Sequence, residues 1–438
     1  MARRNLARIP GDGMKQLSLF LLLAAAVCCA GENAVSVMGL RVYAFNDEYL
    51  PPIVTIGQKI TIEFDVAAIH PPNIQILFAH ATKDWVTDKN SFVNPDYRNK
   101  SQQLLFTVAP NGVHEYSYHY QNFFPDDGGI VVFPYSGNYV FTVVDKDAGN
   151  APLGEGRFIL TEKSVGVSMS VANKYYSERS APLNQMHDVA VTVNVPEVAD
   201  QPAEGKIFHQ NVKTVDIIQN WKLYNPFRIE VEDKNPDTFV DEFYRPVKKF
   251  TIRNVPPGNE YRRLDVGSPR YYPNGIPVRL REGPDLSRFQ WQGKIDANGA
   301  AKLFPFTGAN SDYLDVEFRL ELPAPEEKSI FLVGAFNQWQ PSPAYLMELD
   351  SLGTMYTSRQ WIRRGVYDYQ YVLGSLSPGL NEVVDQEWLL LEGNDWRTIN
   401  RYTAIVYYHD ERFGGFDRAV GTAIAKSPGG TEETPDAR

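Results

Sequence analysis

The chain has 438 residues, of which 43% are hydrophobic and 13% aromatic, and its formal net charge is −10 at pH 7. This length accommodates about two to four domains, and the hydrophobic content is sufficient to fill their cores, which excludes a largely disordered protein. The acidic balance argues against nucleic acid as a partner, because phosphate binding requires a basic footprint.

The N-terminus carries a predicted signal peptide over residues 1–30. Met14 is a cleaner start than Met1, because a lysine and an apolar run over residues 17–26 follow it directly. The run is too short to span a membrane as a stable helix, and small residues follow it, so we expect cleavage near Ala30.

The two cysteines of the chain, Cys28 and Cys29, both lie inside this segment. One of them is a candidate for acylation by a lipoprotein pathway. If cleavage falls after both, the mature protein has no cysteine and therefore no disulfide. No later hydrophobic run approaches the length of a membrane span, so we expect an exported protein.

Beyond residue 34 the dominant pattern is alternation of apolar and polar residues. Period-two alternation occurs over 60–66, 189–195 and 316–322. Such alternation predicts strands with one buried and one solvated face. Turn signals recur at intervals typical of sandwiches at 110–112, 126–129, 136–138, 273–275 and 297–299.

These patterns predict an all-β protein made of three consecutive antiparallel immunoglobulin-like β-sandwich domains. We place the domains at residues 34–165, 166–311 and 312–422. The polar residues 423–438 are expected to form a disordered tail.

No constellation for catalysis or metal binding is recognisable. His80, His114 and His119 lack the spacing of a zinc site. The segment 145–150 is similar to a calcium loop, but its glycine and its twelfth position do not fit, so we predict a hairpin turn there. The acidic residues stand in no catalytic frame, and we predict neither an enzyme nor a cofactor.

The third domain contains the most distinctive motif of the chain. An apolar strand from Ser329 runs into Gly-Ala-Phe-Asn-Gln-Trp, ending at Trp339, and an alternating tyrosine strand follows over 365–372. This pattern resembles the glycogen-binding module family, carbohydrate-binding module 48. The resemblance implies a sugar platform made of Trp339 and Trp388, with Gln370 where that family usually has a basic residue.

Two interpretations of these aromatic residues stay open. In the first, Trp339 and Trp388 present exposed indole faces on which sugar rings stack. In the second, they pack the edge of the sandwich.

A second resemblance extends over the whole mature chain and rests on short motifs in a fixed order. They lie at 74–85, 114–120, 136–140, 156–162, 215–221, 225–226, 392–396, 402–408 and 416–421. Together they resemble the type IX secretion system plug protein family of Bacteroidota and their relatives.

The plug resemblance implies a non-catalytic periplasmic subunit that closes a giant outer-membrane β-barrel translocon when no cargo is present. Its partner would be that barrel, at the inner side of the outer membrane. Membrane association would arise only through this partner or through an acylated cysteine. The alternative is an exported protein that binds α-glucan through its third sandwich.

Overall fold

The protein is described by a computed structural model. The structure describes residues 35–428 except 96–98, 175–185, 203, 243–245, 290, 292, 294–295, 304–307, 378 and 380–381, so the predicted signal peptide lies outside the described residues. Among the described residues the regular structure is strand and short 3-10 turn, without α-helix. None of its helical turns is long and apolar enough to cross a bilayer. The 3-10 turns are Val198–Asp200, His209–Asn211, Gly308–Ser311, Ala335–Asn337, Pro343–Tyr345 and Arg412–Gly414.

The first sandwich is built from strands β1 to β8 in two four-stranded sheets. One sheet has the order β1-β3-β6-β5 and the other β2-β8-β7-β4. Their inner faces share one hydrophobic core, in which Phe64 stacks on Tyr120. The strands are β1 (Ser36–Ala44), β2 (Ile53–Thr55), β3 (Ile60–Ala67), β4 (Ile74–Ala81), β5 (Phe106–Val108), β6 (Tyr118–Phe124), β7 (Gly137–Asp145) and β8 (Ala151–Thr161).

The second sandwich combines strands from the middle and the end of the chain. Its sheets have the orders β13-β14-β10-β9 and β12-β11-β25-β26, and their inner faces share a valine-rich core. The strands are β9 (Gly166–Lys174), β10 (Met186–Asn194), β11 (Val212–Gln219), β12 (Phe227–Glu230), β13 (Thr238–Glu242), β14 (Val247–Val255), β25 (Arg401–Asp410) and β26 (Phe416–Lys426).

The third sandwich consists of two five-stranded sheets. In one, β23 pairs with β15, β18, β20 and β24; in the other, the order is β16-β19-β22-β21 and β17 also pairs with β19. The strands are β15 (Arg262–Asp265), β16 (Val278–Arg279), β17 (Asp285–Leu286), β18 (Ala301–Leu303), β19 (Tyr313–Glu321), β20 (Ser329–Gly334), β21 (Glu348–Leu349), β22 (Met355–Arg363), β23 (Gly365–Leu376) and β24 (Val383–Glu387).

The all-β sandwich prediction is confirmed, but the sheets do not follow the predicted boundaries of the second and third ranges. Strand β25 pairs with β11, so residues 401–426 complete the second sandwich. Conversely, β15 and β18 pair with β23 and belong to the third sandwich. Alternation along a strand reports which face is buried but not which distant strand is its neighbour.

Two further details of the prediction need correction. Residues 423–426, which we expected in a disordered tail, continue β26, and Ser427 is buried with its hydroxyl donating to Thr398 O at 2.9 Å. The sheets are also not wholly antiparallel, because β2 pairs in parallel with β8, and β16 and β17 with β19.

A buried cluster of charges joins the first sandwich to the third. Asp65, on β3, accepts a hydrogen bond from Tyr313 at 2.8 Å and from Arg363 Nη1 at 3.0 Å. The imidazole of His119 lies 2.7 Å from the other oxygen of the same carboxylate. Arg363 also lies 3.5 Å from Glu63, which is on β3 like Asp65. We call these five residues the Asp65 cluster.

The Asp65 cluster continues along the sheet through Arg41. Its guanidinium bonds Glu63 at 2.6 Å and Glu48 at 2.8 Å. Glu48 in turn accepts the backbone N–H of Leu303 at 2.7 Å, which is again a contact with the third sandwich. Each buried carboxylate therefore has partners on both sides of the junction, which offsets the cost of removing it from water.

The first sandwich also docks on the second. Arg418, on β26, bonds Glu162 at 2.9 Å and Asp410 at 2.9 Å, while the hydroxyl of Tyr407 donates to Asn138 at 2.7 Å. Beside these polar contacts, Ile159 packs against an apolar cluster on the outer face of the β11–β25 sheet. The described residues from Val35 onwards accordingly form one compact unit.

We predict that Arg363→Met lowers the free energy of unfolding by about 3 to 5 kcal/mol, because it leaves buried Asp65 and Glu63 short of a counter-charge. The matched control is Arg359→Met on the same strand. Arg359 pairs with Asp315, but its side chain is 57% exposed and solvent screens the pair, so its loss should lower the free energy of unfolding far less. Urea denaturation measures both, and equal losses would contradict the role of the Asp65 cluster.

Candidate functional site

Trp339 lies in a closed turn after β20. The side-chain amide of Asn337 donates to Leu332 O at 3.0 Å and accepts from Gly334 N–H at 2.9 Å, which fixes the turn. The chain then passes Gln338 and Trp339 in left-handed conformations, with φ of 55° and 61°. This backbone turns the indole into the protein.

The indole of Trp339 is 2% exposed. Its Nε1–H donates to Gly299 O at 2.7 Å, and its ring centroid lies 4.3 Å from that of Tyr261. A Cβ on Gly299, whose φ is +91°, would meet the indole at 3.2 Å. Trp339 therefore packs in a small core and does not present a face on which a sugar ring can stack.

Trp388 and Gln370, the other two predicted site residues, line one pocket of about 200 Å³. Trp388 follows β24 and is half-buried, with Lys222 Nζ lying 4.5 Å from the centroid of its ring. Gln370 is a buried residue of β23. Tyr261 also lines this space, which we call the aromatic pocket.

Lys222 is the residue of the aromatic pocket that sequence reasoning missed. Burial lowers its pKa to about 8, against the opposing effect of Glu392 and Asp296. Among the described residues its ammonium has no carboxylate within ion-pair distance and lies instead near the rings of Trp388 and Tyr261. Its ammonium is a cationic hydrogen-bond donor at the pocket wall, suited to a small hydrogen-bond acceptor.

The carboxylate of Glu392, at the edge of the aromatic pocket, is held by structural contacts. It accepts from Arg262 at 3.0 Å, from Arg288 at 2.7 Å and from the backbone N–H of Tyr371 at 2.9 Å. Burial alone would raise its pKa, but the two guanidinium groups outweigh burial and hold the pKa below its usual value.

The histidines considered as metal ligands lie apart and have structural partners. The ring of buried His80 contacts Asp88 at 2.5 Å and Ser136 O at 3.0 Å. His119 belongs to the Asp65 cluster, and the backbone N–H of His114 donates to Asp312 at 3.2 Å. In the part of the chain that the structure describes, no three His, Cys, Asp or Glu residues group as metal ligands.

The segment considered as a calcium loop forms the turn between β7 and β8. Asp145 pairs with Ala151 across the hairpin, and its carboxylate accepts the backbone N–H groups of Asp147 at 2.9 Å and Ala148 at 3.4 Å. The carboxylate thus organises the turn.

Two buried carboxyl groups, Glu260 and Asp368, lie near the junction of the second and third sandwiches beside the half-buried Asp296. Burial, with the charge of Asp296 nearby, raises the pKa of Glu260 and of Asp368 to about 7 each. Burial also raises the pKa of Asp296 itself. Backbone N–H groups satisfy part of this cluster, since Asp368 accepts from Ala297 at 2.8 Å and from Gly299 at 2.9 Å.

The first sandwich carries an exposed apolar edge. Strand β5 ends its sheet, and all three of its residues are exposed. Leu105 is 73% exposed and Val108 is 68% exposed. An uncovered edge of this kind is a template for contact with another chain. We call residues 105–108 the β5 edge.

The first sandwich has a recognisable relationship to known proteins. Residues 37–162 match the family model described as "Type 9 secretion system plug protein 1st domain". This range runs from β1 through the end of β8, so the predicted similarity to plug proteins is confirmed over this sandwich. The resemblance of the third sandwich to the glycogen-binding module stays a prediction.

The fold as a whole also has solved relatives. A crystal structure of a hypothetical protein from Parabacteroides merdae ATCC 43184 has a TM-score of 0.71 and 20% sequence identity to this chain. The match covers 90% of this chain and 98% of that one, so the two proteins share the same three-sandwich fold. No curated protein matches the chain.

We predict that Trp339→Phe lowers the free energy of unfolding by about 1 to 3 kcal/mol, because Gly299 O loses its donor inside the protein. The control is Trp361→Phe, at a tryptophan that is 53% exposed, where a change within about 0.5 kcal/mol is expected. Chemical denaturation followed by circular dichroism tests both. A neutral Trp339→Phe variant would refute the structural role of this indole.

The raised pKa of Glu260 predicts a pH-dependent stability. A carboxyl group whose pKa rises on folding favours the protonated state, so its contribution is present below its unfolded pKa and is lost as the pH rises through about 7. We expect the free energy of unfolding to fall between about pH 5 and pH 8, and to fall less in Glu260→Gln, which cannot ionise. Glu321→Gln, at an exposed acid, should preserve the wild-type slope. Parallel slopes for all three proteins would refute the prediction.

Proposed function

We propose that this protein is a non-catalytic plug subunit of a type IX secretion system, which closes the giant outer-membrane β-barrel from its periplasmic side when no cargo is present. The observation that carries the proposal is the match of residues 37–162 to the first domain of plug proteins. The order of short motifs over the remaining chain supports the same conclusion.

The contacts between the sandwiches suit such a role. A stopper has to resist deformation, and here the first sandwich is attached to both others by buried charges as well as by apolar packing. Breaking either junction would expose carboxylates and guanidinium groups without partners, which is costly. The compact unit can therefore cover an opening as one body.

The β5 edge is the part of the first sandwich that we assign to the barrel contact. Phe106 packs its ring against Tyr118 at 5.3 Å, which holds the strand in place while Leu105 and Val108 remain exposed. Exposed apolar side chains on an ordered strand give contact area at little entropic cost. Opening of the barrel would then require a partner that competes for the β5 edge or for the surface of the barrel that this edge contacts.

The test uses a host that encodes the secretion system. We expect tagged wild-type protein to capture a very large β-barrel from detergent-solubilised outer membranes, and Leu105→Glu/Val108→Glu to reduce that recovery at least tenfold. Leu352→Glu is the control, because this leucine, on the third sandwich, is even more exposed than Leu105 and Val108. Deleting the gene should also make the outer membrane permeable to antibiotics too large for porins.

Two results would overturn the proposal. One is wild-type protein that captures no large barrel under conditions that preserve the barrel itself. The other is an unchanged permeability of the outer membrane after deletion in a host that has the channel.

Glycan binding is a second candidate because the aromatic pocket brings Gln370 and Trp388 together. In that case an α-glucan gel should retain the protein, and Trp388→Ala should abolish retention while Trp361→Ala preserves it. An unretained wild-type protein with an intact fold would exclude this activity.

A further inference from the structure

A pocket of about 460 Å³ lies where all three sandwiches meet. Tyr49 lines it from the first sandwich, and Arg401 and Lys426 line it from the end of the β25–β26 hairpin in the second. Arg263, on β15, and Lys302, on β18, line it from the third. We call it the junction pocket.

Four cationic side chains surround the junction pocket in a protein whose net charge is −10. Arg401 and Lys426 are direct cross-strand neighbours, so two like charges oppose each other. Such pairs are destabilising without a counter-ion. Strand β23 lies between β15 and β18 in the third sandwich. Arg263, on β15, is the cross-strand neighbour of Asp368, and Lys302, on β18, is the cross-strand neighbour of Val366.

These cations differ from the other arginines at the junctions. Arg262, Arg363 and Arg418 each bond a carboxylate at 3.0 Å or less. By contrast, within the described ranges neither Arg401 nor any of the other three pocket cations has a carboxylate within 4.0 Å. The acid that acts on Arg401 at longer range is Asp47, and burial lowers the pKa of this arginine.

Two buried polar atoms on the pocket wall have no hydrogen-bond partner among the residues that the structure describes. They are Nε of Arg401, which is a donor, and Oδ1 of Asn298, which is an acceptor. Buried polar groups without partners are costly in a folded protein and are usually satisfied by a ligand or ordered water. A ligand that carries both a hydrogen-bond acceptor and a hydrogen-bond donor would satisfy these two atoms.

The chemistry of the wall distinguishes between classes of anion. Asp296 and Asp368 also line the pocket, so a phosphate group, which brings several acceptors, would meet two acidic side chains as well as the four cations. A peptide carries carboxylates that match the cations and backbone N–H groups that match Asn298 and the two acids. The mixed wall fits the peptide better.

We propose that the junction pocket binds an acidic peptide segment, with side-chain carboxylates on Arg401, Lys426 and Lys302. The proposal does not rest on the plug function. Such a segment could come from a second polypeptide or from this chain, whose sequence has Glu432, Glu433 and Asp436 shortly after the pocket residue Lys426. Occupation would hold all three sandwiches at the point where they meet.

The probe for the test is a fluorescein-labelled peptide with the sequence of residues 429–437, which contains three acidic residues. It is titrated into the full chain carrying Glu432→Gln, Glu433→Gln and Asp436→Asn, so that no tail carboxylate competes. We expect saturable binding that weakens as salt increases. A probe with the same three neutral replacements should bind at least tenfold more weakly.

The pocket is assigned by substitution. Arg401→Gln/Lys426→Gln should reduce affinity for the acidic probe at least tenfold, whereas Lys89→Gln/Lys234→Gln, at two exposed lysines, should leave it unchanged. If the first pair lowers the melting temperature, Lys302→Gln serves as a milder variant with an expected threefold loss. Weaker binding to the wild-type chain than to the tail-neutralised chain would identify the tail as the source of the segment, and equal binding would identify another polypeptide.

Three outcomes would overturn the proposal. Equal binding of acidic and neutral probes would show that the carboxylates are not recognised. Undiminished binding to both the Arg401→Gln/Lys426→Gln chain and the Lys302→Gln chain would place the site elsewhere. Tighter binding of inorganic phosphate than of the acidic probe, measured by competition, would show that the pocket is a phosphate site.

Discussion

The contact between Asp65 and Arg363 is the constraint on which the rest of the molecule depends. Both groups are buried, and neither has access to bulk water that could replace the other. Tyr313 donates to the same oxygen of Asp65 as Arg363 does, and the imidazole of His119 lies against the other oxygen. The carboxylate is therefore fully engaged only when the first and third sandwiches are docked as observed. A charged junction of this kind tolerates little sliding, because each displacement leaves an unpaired ion in a medium of low dielectric constant.

Because of this constraint, the faces buried at the junctions and the exposed β5 edge have different roles. The faces that meet inside the molecule carry charge and define one arrangement, as Arg418 does beside Glu162 and Asp410. The β5 edge, by contrast, is apolar and exposed, and it can adapt to a partner without disturbing the junctions. The two pockets lie between elements and not on a single sheet, so their shapes also depend on the docking of the sandwiches.

The sequence allowed prediction of strands but not of their partners. The alternating segments at 60–66, 189–195 and 316–322 correspond to β3, β10 and β19, because period-two burial is a local property. The pairing of β25 with β11 is a contact between residues nearly two hundred positions apart, and the alternation within either strand does not identify its partner. The site residues show the same limit. Trp339 has the motif of an exposed platform, yet its backbone turns inward, and Lys222 carries no motif at all.

The position of β25 and β26 has a consequence for the order in which the protein can be completed. A ribosome delivers β11 long before the strand that will lie beside it, so one side of β11 stays open until residues 401–410 have emerged. The second sandwich can therefore be completed only after the last part of the chain has been synthesised. Any nascent or shortened chain that ends before this hairpin would leave one edge of β11 unpaired. That edge would be open to proteases and to pairing with other copies of the chain.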